Sequence, residues 1–180
     1  MMEEDQIFLA DPGEFTGREI EKYREEHFVA GEFEIHGSAL LGQAPSYIEW
    51  LDQLKKNADE ATVDPSWVIS STFFAVRERD HRIIGMLDIR HTLNDFLREY
   101  GGHVGYGVRP SERRKGYAAK ILEQGIAYSR LIGRERIMLA CYSDNLPSKK
   151  TILHCGGILE RTFEYEHDKT VEVYWIDTKL

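Results

Sequence analysis

The sequence predicts a single α/β domain over residues 1–180, with helices and strands in the order ααβββαβαββ. The 180 residues suit one domain and can bury a normal core, and the composition, 42% hydrophobic and 30% charged, is that of a globular protein. Apolar residues recur at helical spacing in some segments and form short β-rich runs in others. No repeat, Gly- or Ser-rich linker or low-complexity segment divides the chain.

The first part of the chain predicts two helices followed by a β-hairpin. Apolar residues fall at helical intervals near 16–29 and again near 45–57, and Asp64-Pro65-Ser66 then interrupts the chain. The β-rich run 67–76 and the segment 82–90 flank Arg79-Asp80-His81, which is typical of a hairpin turn.

The second part predicts a short helix, four further strands and two longer helices. Asn94 can cap a short helix over 95–100, and Gly101-Gly102 ends it before a strand over 103–109. An amphipathic helix follows from Tyr117 to Gly133, then a strand over 136–142 and a helix over 146–154. Segments 158–162 and 171–177 predict the two closing strands.

Charge and composition limit the classes of partner that we expect this protein to bind. The net charge of −8 disfavours nucleic acid and favours cationic acceptors such as amines. The acidic N-terminus lacks the features of a signal peptide and no apolar run is long enough for a membrane span, so we expect a cytoplasmic protein that binds no membrane. Cys141 and Cys155 have no metal-type spacing, and we expect no metal.

The segment from Gly105 to Ala118 takes a predicted strand through a short turn into a helix. The free N–H groups and the dipole of a helix N-terminus can hold phosphate, and Arg113, Arg114 and Lys115 add positive charge there. Gly116 lets a pyrophosphate approach the backbone. The spacing does not fit a P-loop, because Lys115 precedes the glycine instead of following it. It does not fit a Rossmann loop either, because this segment lacks the third glycine that such a loop requires.

Arg113, Gly116 and Ala118 form an Arg-x-x-Gly-x-Ala pattern that closely resembles the acetyl-CoA signature of GNAT acetyltransferases. A second block, Asn145 and Ser148 at a helix start with Gly156 after its end, resembles the same family. The resemblance covers roughly residues 67–177 and is nearest to the ribosomal-protein N-terminal acetyltransferase branch. It implies a central, mixed, mostly antiparallel sheet of six to seven strands flanked by helices.

The resemblance also implies which residues hold the cosubstrate acetyl-CoA. Its pantetheine arm would lie between the fourth and fifth strands of the family's fold and bond the backbone at the end of the fourth. The implied cosubstrate-binding residues are Tyr106, Gly107, Val108, Arg113, Arg114, Lys115, Gly116, Tyr117, Ala118 and Asn145.

The catalytic groups are less well marked. Many members have a tyrosine that protonates the leaving thiolate, but Ile152 stands at that position, so the resemblance points to Ser148, with Tyr142 as a lesser candidate. His103 stands where the same branch often has a glutamate and is the predicted base. Three further residues could contact the acceptor or supply the base instead: Asp88, His91 and Asp95.

The function these residues imply is direct transfer of an acetyl group from acetyl-CoA to a primary amine of a small molecule or a peptide N-terminus. The alternative is a non-catalytic acyl-CoA sensor, because the usual tyrosine is missing. A cysteine acyl-enzyme is disfavoured, since neither cysteine has a recognisable His and acid partner. The resemblance allows a homodimer but does not require one.

Overall fold

The computed structural model describes residues 5–179, which form seven strands and four α-helices. The strands are β1 (Ile7–Ala10), β2 (Ser70–Arg77), β3 (Arg82–Arg90), β4 (Val104–Val108), β5 (Arg136–Tyr142), β6 (Ile158–Tyr165) and β7 (Lys169–Asp177). The helices are α1 (Gly17–Val29), α2 (Tyr47–Asn57), α3 (Tyr117–Leu131) and α4 (Leu146–His154). The predicted α/β class is confirmed.

The strands form two sheets, with order β1-β2-β3-β4 in one and β5-β7-β6 in the other, and every pairing is antiparallel. The sheets meet where the backbone N–H of His103, just before β4, donates to the carbonyl of Met138 in β5, at 2.8 Å. Beyond this bond β4 and β5 are not paired, so the edge of β4 that faces β5 is free of a strand partner.

The predicted order needs one correction, because β1 precedes the two helices. Its four residues are followed by Asp11, which caps a 3₁₀ turn, and the strand pairs with β2 from Ile7 opposite Arg77 to Ala10 opposite Phe74. Four residues carry too little periodicity to identify a strand by themselves. Pairing with β2, which is distant in the sequence, stabilises β1, and the residues of β1 alone do not indicate that pairing.

Helices cover both faces of the first sheet. On one face, α3 packs Ile121 and Leu122 into a core with Leu87 and Ile89 of β3. On the other face, α1 and α2 form a second core with β2 and β3. Its fully buried side chains include Tyr23, Trp50, Phe74 and Met86.

Local capping sets the helix starts. Thr16 and Glu19 form a reciprocal capping box at α1, and Ser46 caps α2 through the N–H of Glu49. The short helix predicted over 95–100 has two α-helical residues, 95 and 96, followed by a π-helix over Leu97–Gly101. The side chain of Asn94 accepts from the N–H of Leu97 at 2.9 Å, whereas Phe96, the N-cap of the π-helix, makes no side-chain capping bond.

Candidate functional site

The turn before α3 leaves a helix N-terminus open. Gly116 is the N-cap of α3, with φ +81°, and no side chain caps the helix there. A Cβ added to Gly116 would meet no atom within 4 Å, so the space above the first turn is clear. The first N–H groups of α3 and the positive end of its dipole are therefore available to an anion such as a pyrophosphate.

The three cations of this turn differ in their partners. Lys115 Nζ donates to Glu112 at 3.0 Å, and the guanidinium of Arg113 binds both carboxylate oxygens of Glu32, at 2.5 and 2.7 Å. Arg114 is exposed and has no hydrogen-bond or ion-pair partner among residues 5–179. Arg114 is thus the cation of the three that a phosphate can engage without breaking an existing pair.

The Arg113–Glu32 pair connects the turn to the segment after α1. It lowers the pKa of Glu32 to about 2, and the same carboxylate also bonds His27 Nδ1 at 2.9 Å. Arg113 Nε donates to the carbonyl of Val108 at the end of β4. One side chain therefore joins the turn, β4 and the segment between α1 and α2.

Tyr117 has a structural side chain. Its ring is 2% exposed, and its hydroxyl donates to Asp5 at 2.6 Å and accepts from Arg77 at 3.1 Å. Only the backbone of Tyr117, in the first turn of α3, lies where a phosphate could reach it.

The unpaired edge of β4 lies beside this turn in sequence and carries the predicted residues Tyr106, Gly107 and Val108. Side chains alternate across the strand, so Gly105 and Gly107 face the segment between α1 and α2, and Tyr106 faces α4. A backbone without side chains on one face and without a strand partner on one edge is suited to bonding an extended arm of a ligand.

Tyr106 and Ser148 share a hydrogen bond between their hydroxyls, at 3.1 Å. Asn145 is the N-cap of α4 and accepts from the N–H of Ser148 at 3.3 Å, which fixes the first turn on which Ser148 lies. Burial raises the pKa of Tyr106 to about 12, so its phenol stays protonated at neutral pH. Ile152, at the position of the missing tyrosine, is buried in the core and carries no proton donor.

His103 has contacts that hold the two sheets together. Its side-chain Nδ1 accepts from the backbone N–H of Met138 at 2.9 Å, and its backbone N–H donates to the carbonyl of Met138. Burial, together with the nearby charges of Arg134 and Arg90, lowers the pKa of His103 to about 4. The base role stays a prediction, and an imidazole with this pKa is a weak proton acceptor.

The alternative residues near the end of β3 are also engaged. Asp88 accepts from Thr72 at 2.8 Å and lies 3.4 Å from Arg90 Nε. His91 Nε2 bonds the hydroxyl of Ser71 at 2.8 Å on the α3 side of the sheet. Asp95 is exposed, and Tyr142 is 40% exposed with Lys169 over its ring.

Sequence reasoning missed the segment between α1 and α2. A Cβ added to Gly37 would lie 2.6 Å from Tyr106 Cα and 2.9 Å from the carbonyl of Gly105, so this segment rests directly on β4. The glycine pair at Gly37 and Gly42 was the available signal, but the partner strand lies far away in the sequence. Glu32, which binds Arg113, belongs to the same segment.

Other chemistry has little support among residues 5–179. They contain no group of three or more potential His, Cys, Asp or Glu ligands for a metal ion. Both cysteines are free, and burial raises the pKa of Cys155 to about 11 and also raises that of Cys141, which makes both poor nucleophiles. None of the helices in this range has the length and apolar character to cross a membrane.

Comparison with known proteins identifies the family. The model of the acetyltransferase (GNAT) family matches residues 42–156. No curated protein sequence matches the chain.

Solved structures share the fold at low sequence identity. A ribosomal-protein-S5-alanine acetyltransferase from Vibrio fischeri has a TM-score of 0.69 and 18% identity over 99% of this chain and 96% of that one. The microcin C7 self-immunity acetyltransferase MccE, in complex with acetyl-CoA and AMP, has a TM-score of 0.66 and 17% identity over 96% and 92%. A chimera of the spermidine N-acetyltransferase SpeG from Vibrio cholerae with hSSAT has a TM-score of 0.66 and 14% identity over 96% of each.

The family match covers more than half of the chain, and it agrees with the open N-terminus of α3, the Arg-x-x-Gly-x-Ala turn and the unpaired edge of β4. The protein is therefore a member of the GNAT acetyltransferase family and an acetyl-CoA-dependent N-acetyltransferase.

Proposed function

We propose that this protein transfers the acetyl group directly to a primary amine of a small molecule or a peptide N-terminus. The observation that carries the proposal is the arrangement around β4: an open helix N-terminus with the unpaired Arg114 at one end, and the Ser148–Tyr106 hydroxyl pair beside the strand. An acetyl-CoA extended along the free edge of β4 would place its diphosphate at the helix N-terminus and its thioester beside the hydroxyl pair.

In this proposal the acetyl-CoA diphosphate lies against the backbone of Gly116, Tyr117 and Ala118, with Arg114 as its counterion. Arg113 and Lys115 shape the turn through Glu32 and Glu112 and supply charge at longer range. Backbone groups of Tyr106, Gly107 and Val108 bond the pantetheine arm and polarise the thioester carbonyl. Asn145 contributes by holding the first turn of α4.

Ser148 is the proposed acid. As the amine nitrogen forms its bond to the carbonyl carbon, the carbon–sulfur bond breaks and the sulfur leaves with the electron pair. The hydroxyl of Ser148 gives its proton to that sulfur and takes one from Tyr106 or water. Because a hydroxyl pair already exists at 3.1 Å, Tyr106 supports the role that the family usually gives to a tyrosine on α4.

Amines of low pKa are the proposed acceptors. A lysine-like amine with pKa ~10.4 must lose a proton at a cost of roughly 4.6 kcal/mol at pH 7, whereas an α-amine near pKa 7.8 costs only about 1 kcal/mol. The fold resembles both spermidine and ribosomal-protein acetyltransferases, so it supports both a small-molecule and a peptide acceptor. A homodimer and a cytoplasmic location stay predictions of the sequence.

The test is release of free thiol from acetyl-CoA with four acceptors: glycinamide, an alanine-initiated hexapeptide, spermidine and kanamycin. We expect turnover with at least one, and higher turnover with the first two. Binding of acetyl-CoA without thiol release from any acceptor would favour the sensor alternative. That alternative rests on the absence of a tyrosine at position 152, where the chain has isoleucine.

A further inference from the structure

The segment between α1 and α2 is a loop anchored in the core. Ile35, Ser38 and Leu41 are at most 4% exposed, and the hydroxyl of Ser38 donates to the carbonyl of Ile35 at 2.6 Å while accepting from the N–H of Leu41 at 3.1 Å. Trp50 Nε1 of α2 donates to the carbonyl of Ser38 at 2.7 Å. The loop therefore holds its shape through buried contacts on both sides.

Three of the four residues from Gly37 to Leu40 in this loop have left-handed backbone conformations. Gly37 has φ +71°, Ala39 has φ +48° and Leu40 has φ +69°, with Ser38 between the first and second. Alanine and leucine rarely adopt such angles, and residues held in this way are concentrated at functional sites. The surrounding contacts keep the loop in a shape that its own backbone preferences oppose.

His36 lies in this loop against β4. A Cβ added to Gly107 would be 2.7 Å from the carbonyl oxygen of His36 and 3.5 Å from its Cβ. The imidazole is exposed, although its two neighbours along the loop, Ile35 and Gly37, pack inward. Gly107 belongs to the part of β4 that the proposed function assigns to the thioester, so the carbonyl and Cβ of His36 lie against that part of the strand, on the side opposite Tyr106 and Ser148.

The side chain of His36 differs from those of most of its neighbours in having no partner. The other titratable or charged side chains on the loop, on β3 and on β4 with the residue that follows it are Glu32, Glu34, Arg82, Asp88, Arg90, Tyr106 and Arg109. Glu34 is exposed, and each of the others has a partner: Glu32 binds Arg113, Arg82 binds Glu112, Asp88 binds Thr72, Arg90 binds Gly101, Tyr106 binds Ser148 and Arg109 binds Glu26. Within residues 5–179, His36 has no hydrogen-bond, ion-pair or ring partner.

We propose that His36 is the general base of the acetyl transfer, an inference that rests on the proposed function. The imidazole accepts the proton that the acceptor nitrogen loses as its bond to the carbonyl carbon forms. The carbon–sulfur bond then breaks with its electron pair on sulfur, and Ser148 protonates that sulfur. The imidazolium passes its proton to water, so one proton leaves nitrogen and one reaches sulfur in each turnover. His103 then serves to hold β4 against β5.

The experiment compares His36→Gln with His154→Gln, which removes an exposed histidine at the far end of α4. Thiol release is measured from pH 5.5 to 9 with whichever of the four acceptors the wild type uses. We expect His36→Gln to lower kcat by about 10²-fold or more, to leave the KM for acetyl-CoA within twofold, and to remove the acidic limb of the pH profile. Glu34→Gln should keep that limb.

A second variant separates chemistry from structure. His36→Ala should recover part of its activity when free imidazole is added, whereas His36→Gln should not, because only the alanine variant leaves space for the added base. Wild-type kcat and an intact acidic limb in His36→Gln would overturn the inference, as would an equal loss in His154→Gln. A wild-type protein without turnover on any acceptor would instead refute the proposed function itself.

Discussion

Gly116 offers the sharpest test of the cosubstrate site, because the chain contains a matched control. Gly116 has φ +81° and Gly133, just after α3, has φ +82°, and a Cβ on either would meet no atom within 4 Å. Replacing either with valine forces an L-residue into the left-handed region at a cost of roughly 1–2 kcal/mol. Both variants should therefore lose similar stability, and their melting temperatures should fall by about 2 to 8 °C.

The two variants should differ in their response to acetyl-CoA. At a hundredfold excess over its dissociation constant, the cosubstrate stabilises the folded protein by ~2.7 kcal/mol, or about 5 to 11 °C for a domain of this size. Gly133→Val should keep this increase. Gly116→Val should lose it, because the valine side chain fills the space above the first turn of α3 that the diphosphate needs.

The measurement is thermal unfolding with and without acetyl-CoA, followed by calorimetric titration of each variant. A full increase in Gly116→Val would refute the assignment of the diphosphate to this helix N-terminus. A loss in both variants would show that strain in the backbone, and not the occupied space, abolishes binding.

Two further predictions concern the hydroxyl pair and His103. Ser148→Ala and Tyr106→Phe should each lower kcat more than they raise the KM for acetyl-CoA in steady-state kinetics. Because both hydroxyls act on one proton, kcat in the double variant should fall by less than the product of the two single effects. Multiplicative losses of kcat would contradict a shared role. For His103, burial lowers the folded-state pKa to about 4, below its ordinary value of 6.5. The unfolded chain therefore binds the proton more readily than the folded protein does. As the pH drops from 6.5 to 4, the free energy of unfolding should fall by ~3 kcal/mol. Urea unfolding of wild type and His103→Gln at pH 7.5 and 4.5 should show a smaller loss in the variant, and equal losses would place the pH dependence on other groups.

The local elements could be predicted because their causes lie within a few residues. The bounds of β3, β5 and α4 agree with the prediction, since each has a clear apolar pattern between strong end signals such as Asn145 and Gly156. β1 was missed because its stability comes from pairing with β2. The split into two sheets was likewise not visible in the pattern, because the order of strands within a sheet depends on contacts between distant segments.

The candidate site divides in the same way. Positive charge, Gly116 and the start of α3 are neighbours in the sequence, so the candidate phosphate-binding turn could be predicted from the residues alone. The sequence could not show that Glu32 would bind Arg113 and leave Arg114 free, or that His103 would lose its basicity by burial between the sheets. These outcomes depend on which groups share a local environment after folding.

By itself, then, the sequence predicted the α/β class, a candidate phosphate-binding turn and the resemblance to the family, because each depends on residue types at short spacings. Only the tertiary structure decided which side chains meet at β4: Tyr106 with Ser148 on one side, and the loop carrying His36 on the other. The physical reason is that hydrogen bonding, burial and the resulting shifts in pKa act over a few ångströms in space, between residues that the chain keeps far apart.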